Sequence, residues 1–210
     1  MNPTPEKTSV MAPFILMLFL YFIVGLFTVI NQQFQVPLKS ALLPHDGNMT
    51  NALVTLLNFS WFLAYPFSEG FATRWVDRLG YRKTSVYSLL IFIVGLGFYE
   101  AAVLLHIYAP SYITIMGNPI FTGFFVFLSG SFVIGMAVTI LQVVTGLYLD
   151  VNPVGKTTPL QRQMIGGTTN SIGMAIGPLV VSYIIFYGIP LHNVQSREFI
   201  WPVICLIAII

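Results

Sequence analysis

The sequence predicts an all-α integral membrane protein. Three observations predict it. Apolar runs of about 18 residues or more recur, the length that crosses a hydrocarbon core of about 30 Å at about 1.5 Å per residue. Of the 210 residues, 56% are hydrophobic and only 8% are charged, whereas soluble domains average about 25% charged. The few Lys and Arg residues gather in alternate loops.

The elements follow in order. Residues 1–12 are polar, with Glu6 and Lys7. Residues 13–30 form an unbroken apolar run of 18. It is too long for the core of a signal peptide and lacks a small-x-small cleavage site, so an uncleaved first span is expected. Nothing breaks that helix through Asn31-Gln32-Gln33 before Pro37, which places the span at about 13–36. Residues 38–49 read as a loop. The second span is expected at about 52–73, with Pro66 inside, where bundle neighbours re-satisfy the freed carbonyl. Residues 74–83 are the densest charge cluster and read as a loop. The third span is expected at about 84–105. Residues 106–118 carry no formal charge, and Asn118-Pro119 reads as a turn.

The fourth span is expected at about 120–148, a loop over 150–162, and the fifth span at about 164–188 with Pro178 inside. A sixth apolar run fills 199–210. Twelve residues rise only about 18 Å as helix, too short to span. The chain is therefore expected to stop inside a helix, as a fragment or a truncated product does. Cys205 is the single cysteine, so no intramolecular disulfide can form.

Orientation follows from Lys and Arg. With the N-terminus in the cytoplasm, Lys7, Arg74, Arg78, Arg82, Lys83, Lys156 and Arg162 lie inside, and Lys39 and Arg197 outside, which accounts for all 9. A multi-pass protein of the plasma or inner membrane is expected, with the lipid bilayer as its medium.

Polar side chains inside such runs carry the functional reading. Gln142 lies 21 residues after Phe121, with Thr139 and Thr145 three residues to either side on the same helix face. Two readings stand: interhelical glue, at about 0.6 to 2 kcal/mol per bond, or contact with a solute. Asn31, Gln32 and Gln33 close the first run, either as an interfacial cap or as amides lining a solute site with both donors and acceptors. Asn170 shares a face with Gly166, Gly173 and Gly177, a small-residue packing stripe that is expected to open onto the solute path at Asn170. The three patches are expected to face one another across a polar path for a small polar solute, with Trp61 as a candidate stacking platform.

Glu69 and Glu100 are the carboxylates inside expected spans. A charged carboxylate at the bilayer centre costs about 2.5 to 3.5 kcal/mol on insertion scales, which makes both candidates for proton carriage. Neither is central, so boundary snorkelling or an ion pair is the plainer reading. Asp77, Arg78, Gly80, Arg82 and Lys83 form a loop whose glycine turn and charges suit a latch between helix ends. The chain carries no nucleophile elbow, no His-Glu-x-x-His and no phosphate loop, so no enzyme activity and no cofactor are expected. His45, His106 and His192 share no metal spacing, and no nucleic-acid partner is expected. Asn48-Met49-Thr50 fits a glycosylation sequon.

At this point the chain resembles a known family. The Asp77-Arg78-x-Gly80 loop resembles the loop 2–3 motif of the major facilitator superfamily. Ile30-Asn31-Gln32-Gln33 with Pro37, the stretch from Leu141-Gln142-Val143 to Tyr148, and Arg162 with Asn170-Ser171-Ile172-Gly173 resemble the fucose:proton symporter and glucose/galactose transporter family. Several positions depart from the family pattern. Gln33 and Gln142 stand where acidic residues occur, Gly146-Leu147 replaces Asn-Pro, Gly167 replaces a glutamine and Thr73 a glycine. The missing acids leave facilitated transport, sodium coupling, or coupling through Glu100 or through residues outside this sequence.

The resemblance implies the six-helix N-terminal half of a twelve-helix fold, built from inverted 3+3 repeats, with a solute site at the midplane. It implies a small neutral sugar as solute, H+ or Na+ as coupling ion, and a missing C-terminal half as partner. Asn31, Gln32, Gln33, Gln142 and Asn170 would bond sugar hydroxyls. The alternatives are a different small solute, or a truncated, non-transporting membrane fragment.

Overall fold

A computed structural model describes residues 11–43, 48–115, 118–188 and 201–202. Helix α1 (Met11–Gln33) and helix α2 (Gln35–Leu42) are separated by one turn residue, Phe34. The backbone bonds continue across it: Phe34 N–H donates to Ile30 O at 3.1 Å, and Leu38 N–H to Phe34 O at 3.0 Å. Pro37 does not stop the helix, contrary to the expectation of a loop from residue 38. It falls in the first turn of α2, where N–H groups lack intrahelical partners in any case.

Helix α3 runs over Asn48–Tyr108 and contains one non-helical residue, Gly80, at φ 77°, ψ 168°. The expected loop over 74–83 thus shrinks to a single glycine. A Cβ on Gly80 would meet nothing within 4 Å, so the backbone conformation, not space, is what demands glycine there.

Helix α4 (Thr122–Val151) shows what happens at that glycine. The arm 48–79 meets α4 in rising order. Ser60 lies on Leu128, Ala64 on Gly135 and Tyr65 on Gln142. The arm 81–108 meets α4 in falling order. Tyr81 lies on Tyr148, Ser88 on Ala137 and Tyr99 on Phe127. The two arms therefore run in opposite directions, and the chain reverses at Gly80.

Helix α5 (Pro159–Val180) begins earlier than the expected residue 164. Thr158 caps it: Gln161 N–H donates to Thr158 Oγ1 at 3.2 Å and Thr158 N–H to Gln161 Oε1 at 2.9 Å, a reciprocal capping box with Pro159 next in line. A π-helical turn, Val181–Ile185, follows Pro178. Helix α5 meets α1 in rising order: Gly166 on Tyr21, Asn170 on Gly25, Gly177 on Val29. Helix α1 also rises along the second arm of α3, Phe27 on Phe92 and Asn31 on Tyr99. So α1, the second arm and α5 share one direction, and the first arm and α4 the other.

Strands β1 (Tyr112–Ile115) and β2 (Asn118–Phe121) form an antiparallel hairpin, with Tyr112 opposite Phe121. The loop expected there, with its Asn118-Pro119 turn, is instead this ladder. Pro119 fits because a two-stranded sheet is all edge, where a missing donor is tolerated.

The described residues contain four helices long and apolar enough to cross a membrane: Met11–Lys39, Thr50–Tyr108, Thr122–Val151 and Pro159–Ile185. The expected count of six spans is not met. Two of the six are the arms 48–79 and 81–108, which run in opposite directions but are joined through Gly80 alone and count as one helix there. The sixth, 199–210, lies outside the described residues apart from Trp201 and Pro202.

The core is aromatic, centred on Trp61, Phe121, Phe124 and Phe127. Tyr99 stacks on Phe127 with ring centroids 3.7 Å apart. Large apolar side chains such as Phe19, Phe67, Val94 and Leu179 cover the outside. Water would penalise such a surface, whereas a lipid environment would not. The architecture is compatible with an all-α membrane protein.

Candidate functional site

The polar residues of interest sit inside this apolar bundle. Asn31, in the last turn of α1, is 5% exposed. Its Oδ1 accepts the Tyr99 hydroxyl from the second arm of α3 at 3.0 Å. Its Nδ2 has no partner. Trp61, from the first arm, is 2% exposed, and its Nε1–H also has no partner. Asn31, Trp61 and Tyr99 line one void together with Phe27, Phe92 and Ile134. That void has a volume of about 10 Å³, enough for about one water. A hexose does not fit it in this conformation.

Gln142 is half-buried on α4. Its Oε1 accepts the Tyr65 hydroxyl at 3.4 Å, a long bond. The Tyr65 phenol also interacts with the side chains of Thr28 and Trp61, yet no bond of standard geometry reaches the indole N–H. Thr139 and Thr145 share the face expected of them, and both are buried. Their hydroxyls turn back onto their own helix, Thr139 to Gly135 O at 2.7 Å and Thr145 to Leu141 O at 2.9 Å.

Asn170 belongs to a different seam. Its Nδ2 donates to Tyr21 O of α1 at 3.0 Å. Gly166, Gly173 and Gly177 on the same stripe are buried against α1. The neighbouring hydroxyls of Thr168, Thr169 and Ser171 bond carbonyls one turn back. The three polar patches thus do not bond one another. Each amide is held by a tyrosine residue instead: Asn31 by Tyr99, Gln142 by Tyr65, Asn170 by the Tyr21 carbonyl. Asn31 and Trp61 come together at the void, and Tyr65 links Trp61 towards Gln142. Gln32 and Gln33 are half-buried at the end of α1.

Glu69 is exposed on the first arm, while Glu100 is half-buried with Oε2 buried and unpartnered. Asp77, Arg78, Gly80, Arg82 and Lys83 are all exposed around the reversal. No group of three or more His, Cys, Asp or Glu that could hold a metal occurs among the described residues. His45 and His192 lie outside those residues.

Sequence reasoning passed over Tyr65 and Tyr99. A tyrosine in an apolar run gives no sign of its partner, and these partners lie 77 and 68 residues away. It also placed Arg162 in a loop. Arg162 is 3% exposed, within α5. Its Nε, Nη1 and Nη2 donate to the carbonyls of Leu149, Thr157 and Asp150 at 2.6, 2.8 and 2.8 Å. The guanidinium so ties the end of α4 to the start of α5. The cue was Thr158-Pro159-Leu160-Gln161, a capping box that puts the next residue inside a helix.

In comparison with known proteins, no family model, no curated protein and no solved structure matches the chain.

Proposed function

We propose that the chain forms part of a secondary transporter for a small neutral polar solute of the hexose class, working by alternating access. The observation that supports this most is the seam of uncharged hydrogen-bonding groups inside the bundle. It draws on α1, both arms of α3 and α4 through Asn31, Trp61, Tyr65, Tyr99 and Gln142, with no carboxylate in the bonds described. Amides and phenols offer both donors and acceptors, the chemistry a sugar hydroxyl matches and an ionic solute does not. A void of one water's size fits a closed conformation, which must open to admit a hexose.

The reading keeps the six-helix half of a twelve-helix major facilitator fold, with the N-terminus in the cytoplasm of a plasma or inner membrane. Asn31, Gln142 and Asn170 face the solute in turn as helices rock. The exposed cluster from Asp77 to Lys83 latches one state. Glu100, with its buried unpartnered oxygen, is the better placed of the two carboxylates for H+ coupling.

A second reading has support of its own. Each amide already has a partner, so the same bonds serve as glue between helices. Uptake of neutral hexoses into proteoliposomes separates the two, comparing wild type with Gln142→Ala, with and without a pH gradient. Transport predicts uptake that falls in Gln142→Ala by roughly tenfold, about the effect of one or two lost hydrogen bonds. Absence of uptake from folded protein leaves the amides as glue.

A further inference from the structure

The void between Asn31, Trp61 and Tyr99 poses a chemical question that the transport reading does not answer. Two residues that line it carry N–H donors without a bond of standard geometry, Asn31 Nδ2 and Trp61 Nε1, the indole lying beside the Tyr65 phenol, and both residues are more than nine-tenths buried. A buried donor left unmet is destabilising, so native interiors supply a partner. The protein groups nearby are already engaged. The Asn31 oxygen takes the Tyr99 proton, and Phe27, Phe92 and Ile134 offer only carbon. The Tyr99 oxygen has two lone pairs, one of them towards the Ser131 hydroxyl, which leaves one to accept. The space matches about one oxygen-sized occupant.

We infer that this void is a binding site for a single hydroxyl oxygen, which accepts from Asn31 Nδ2 and Trp61 Nε1 and donates to the Tyr99 hydroxyl. In the resting protein the occupant is one water. Resting on the transport reading, the solute replaces that water with one of its own hydroxyls when the bundle opens. Both occupants present the same group, so the wall needs no rearrangement between them. Trp61 then acts through its N–H edge, as a donor, not as a stacking face. A solute lacking that hydroxyl leaves two donors unmet and is rejected by the same physics.

The chain has 3 tryptophans. Replacing Trp75 and Trp201 by Phe leaves Trp61 as the sole indole. Ultraviolet resonance Raman spectra of that protein in lipid nanodiscs read the hydrogen-bond state of its N–H. Without sugar, the band is expected at its hydrogen-bonded position. It is expected to stay there in Tyr65→Phe, which removes the phenol that interacts with the indole, and to shift towards the free position in Asn31→Leu. A free indole band in the unaltered site overturns the inference, as does a bond lost in Tyr65→Phe, because the acceptor would then be the phenol.

D-glucose, D-galactose and L-fucose are then added in turn. The transported sugar is expected to move the Trp61 band. Trp61→Phe, which deletes the donor and keeps an aromatic ring, is expected to raise the KM for uptake roughly two- to tenfold. Uptake with neither response overturns the replacement of water by solute. No uptake of any hexose, with a water-bonded band still present, overturns the transport reading and leaves the water site supported.

Discussion

Two helix seams hold this bundle, and they are built differently. Where α3 meets α4, serine hydroxyls reach across to opposing carbonyls. Ser60 bonds Leu128 O at 3.0 Å, Ser88 bonds Ala137 O at 2.7 Å and Ser131 bonds Leu57 O at 3.2 Å. Gly95, Gly130 and Gly135 let the backbones close up between these bonds. Where α1 meets α5, the closeness comes from Gly25, Gly166, Gly173 and Gly177, and the cross-helix bond described is the one from Asn170. The rest of α5 is largely exposed. The first seam is pinned at several fixed registers. The second relies on shape, with one bond to set its register. In an apolar medium, where burial gives helices little reason to associate, such close packing and such bonds carry the association. The bundle therefore has a pinned half and a half that rests chiefly on close glycine packing.

The largest expected effect lies at the second seam. A Cβ on Gly173 would run into the Phe22 carbonyl. Gly173→Leu should cost about 3 kcal/mol or more through overpacking and detach α5 from α1. Disulfide trapping between cysteines at positions 21 and 166 reads the contact, and trapping at wild-type efficiency would contradict the glycine seam. Next is Gly80→Ala. At φ 77° it should cost about 1 to 2 kcal/mol with no change in either seam. Equilibrium unfolding in detergent measures it, and an unchanged midpoint would mean that the reversal is not held at that residue. Ser88→Ala comes third, at about 0.6 to 1 kcal/mol for one interhelical bond. The smallest effect is the control. A Cβ on Gly167 meets nothing within 4 Å, so Gly167→Ala should be neutral or slightly stabilising. A loss there as large as at Gly173 would show that α5 is fragile as a helix, not as a packed face.

Much of this was legible in the chain. The apolar runs located the helices, and the period of Gly166, Gly173 and Gly177 marked the packing face of α5. Thr139, Gln142 and Thr145 fell on one face, as their spacing required. Partner choice was not legible. That Asn31 meets Tyr99 and Gln142 meets Tyr65 depends on where α3 folds back relative to α4, which no local pattern encodes. At residues 74–83 the expected loop proved too long: the break is there, but it is one residue, Gly80, and the charged residues on either side are helical. Arginines and lysines are good helix formers, and only Gly80 leaves the helical region. The hairpin at β1 and β2 escaped because Asn-Pro reads as a turn wherever it falls.

The reversal at Gly80 also bears on the order of assembly. A one-residue connection leaves almost no chain entropy to lose on closing, so the two arms of α3 can pair as soon as both exist. Helix α4 is next in sequence, and its contacts with both arms are of modest separation, such as the 49 residues from Ser88 to Ala137. The bond from Asn170 to Tyr21 spans 149 residues. Low-separation contacts form first, and cysteine pairs at 60/128 and 21/166, trapped on chains stalled at increasing length, would expose a reversed order. A newly made chain thus completes its pinned half, with Asn31 already met by Tyr99, while the glycine-ready face of α1 stays uncovered until the last described helix arrives.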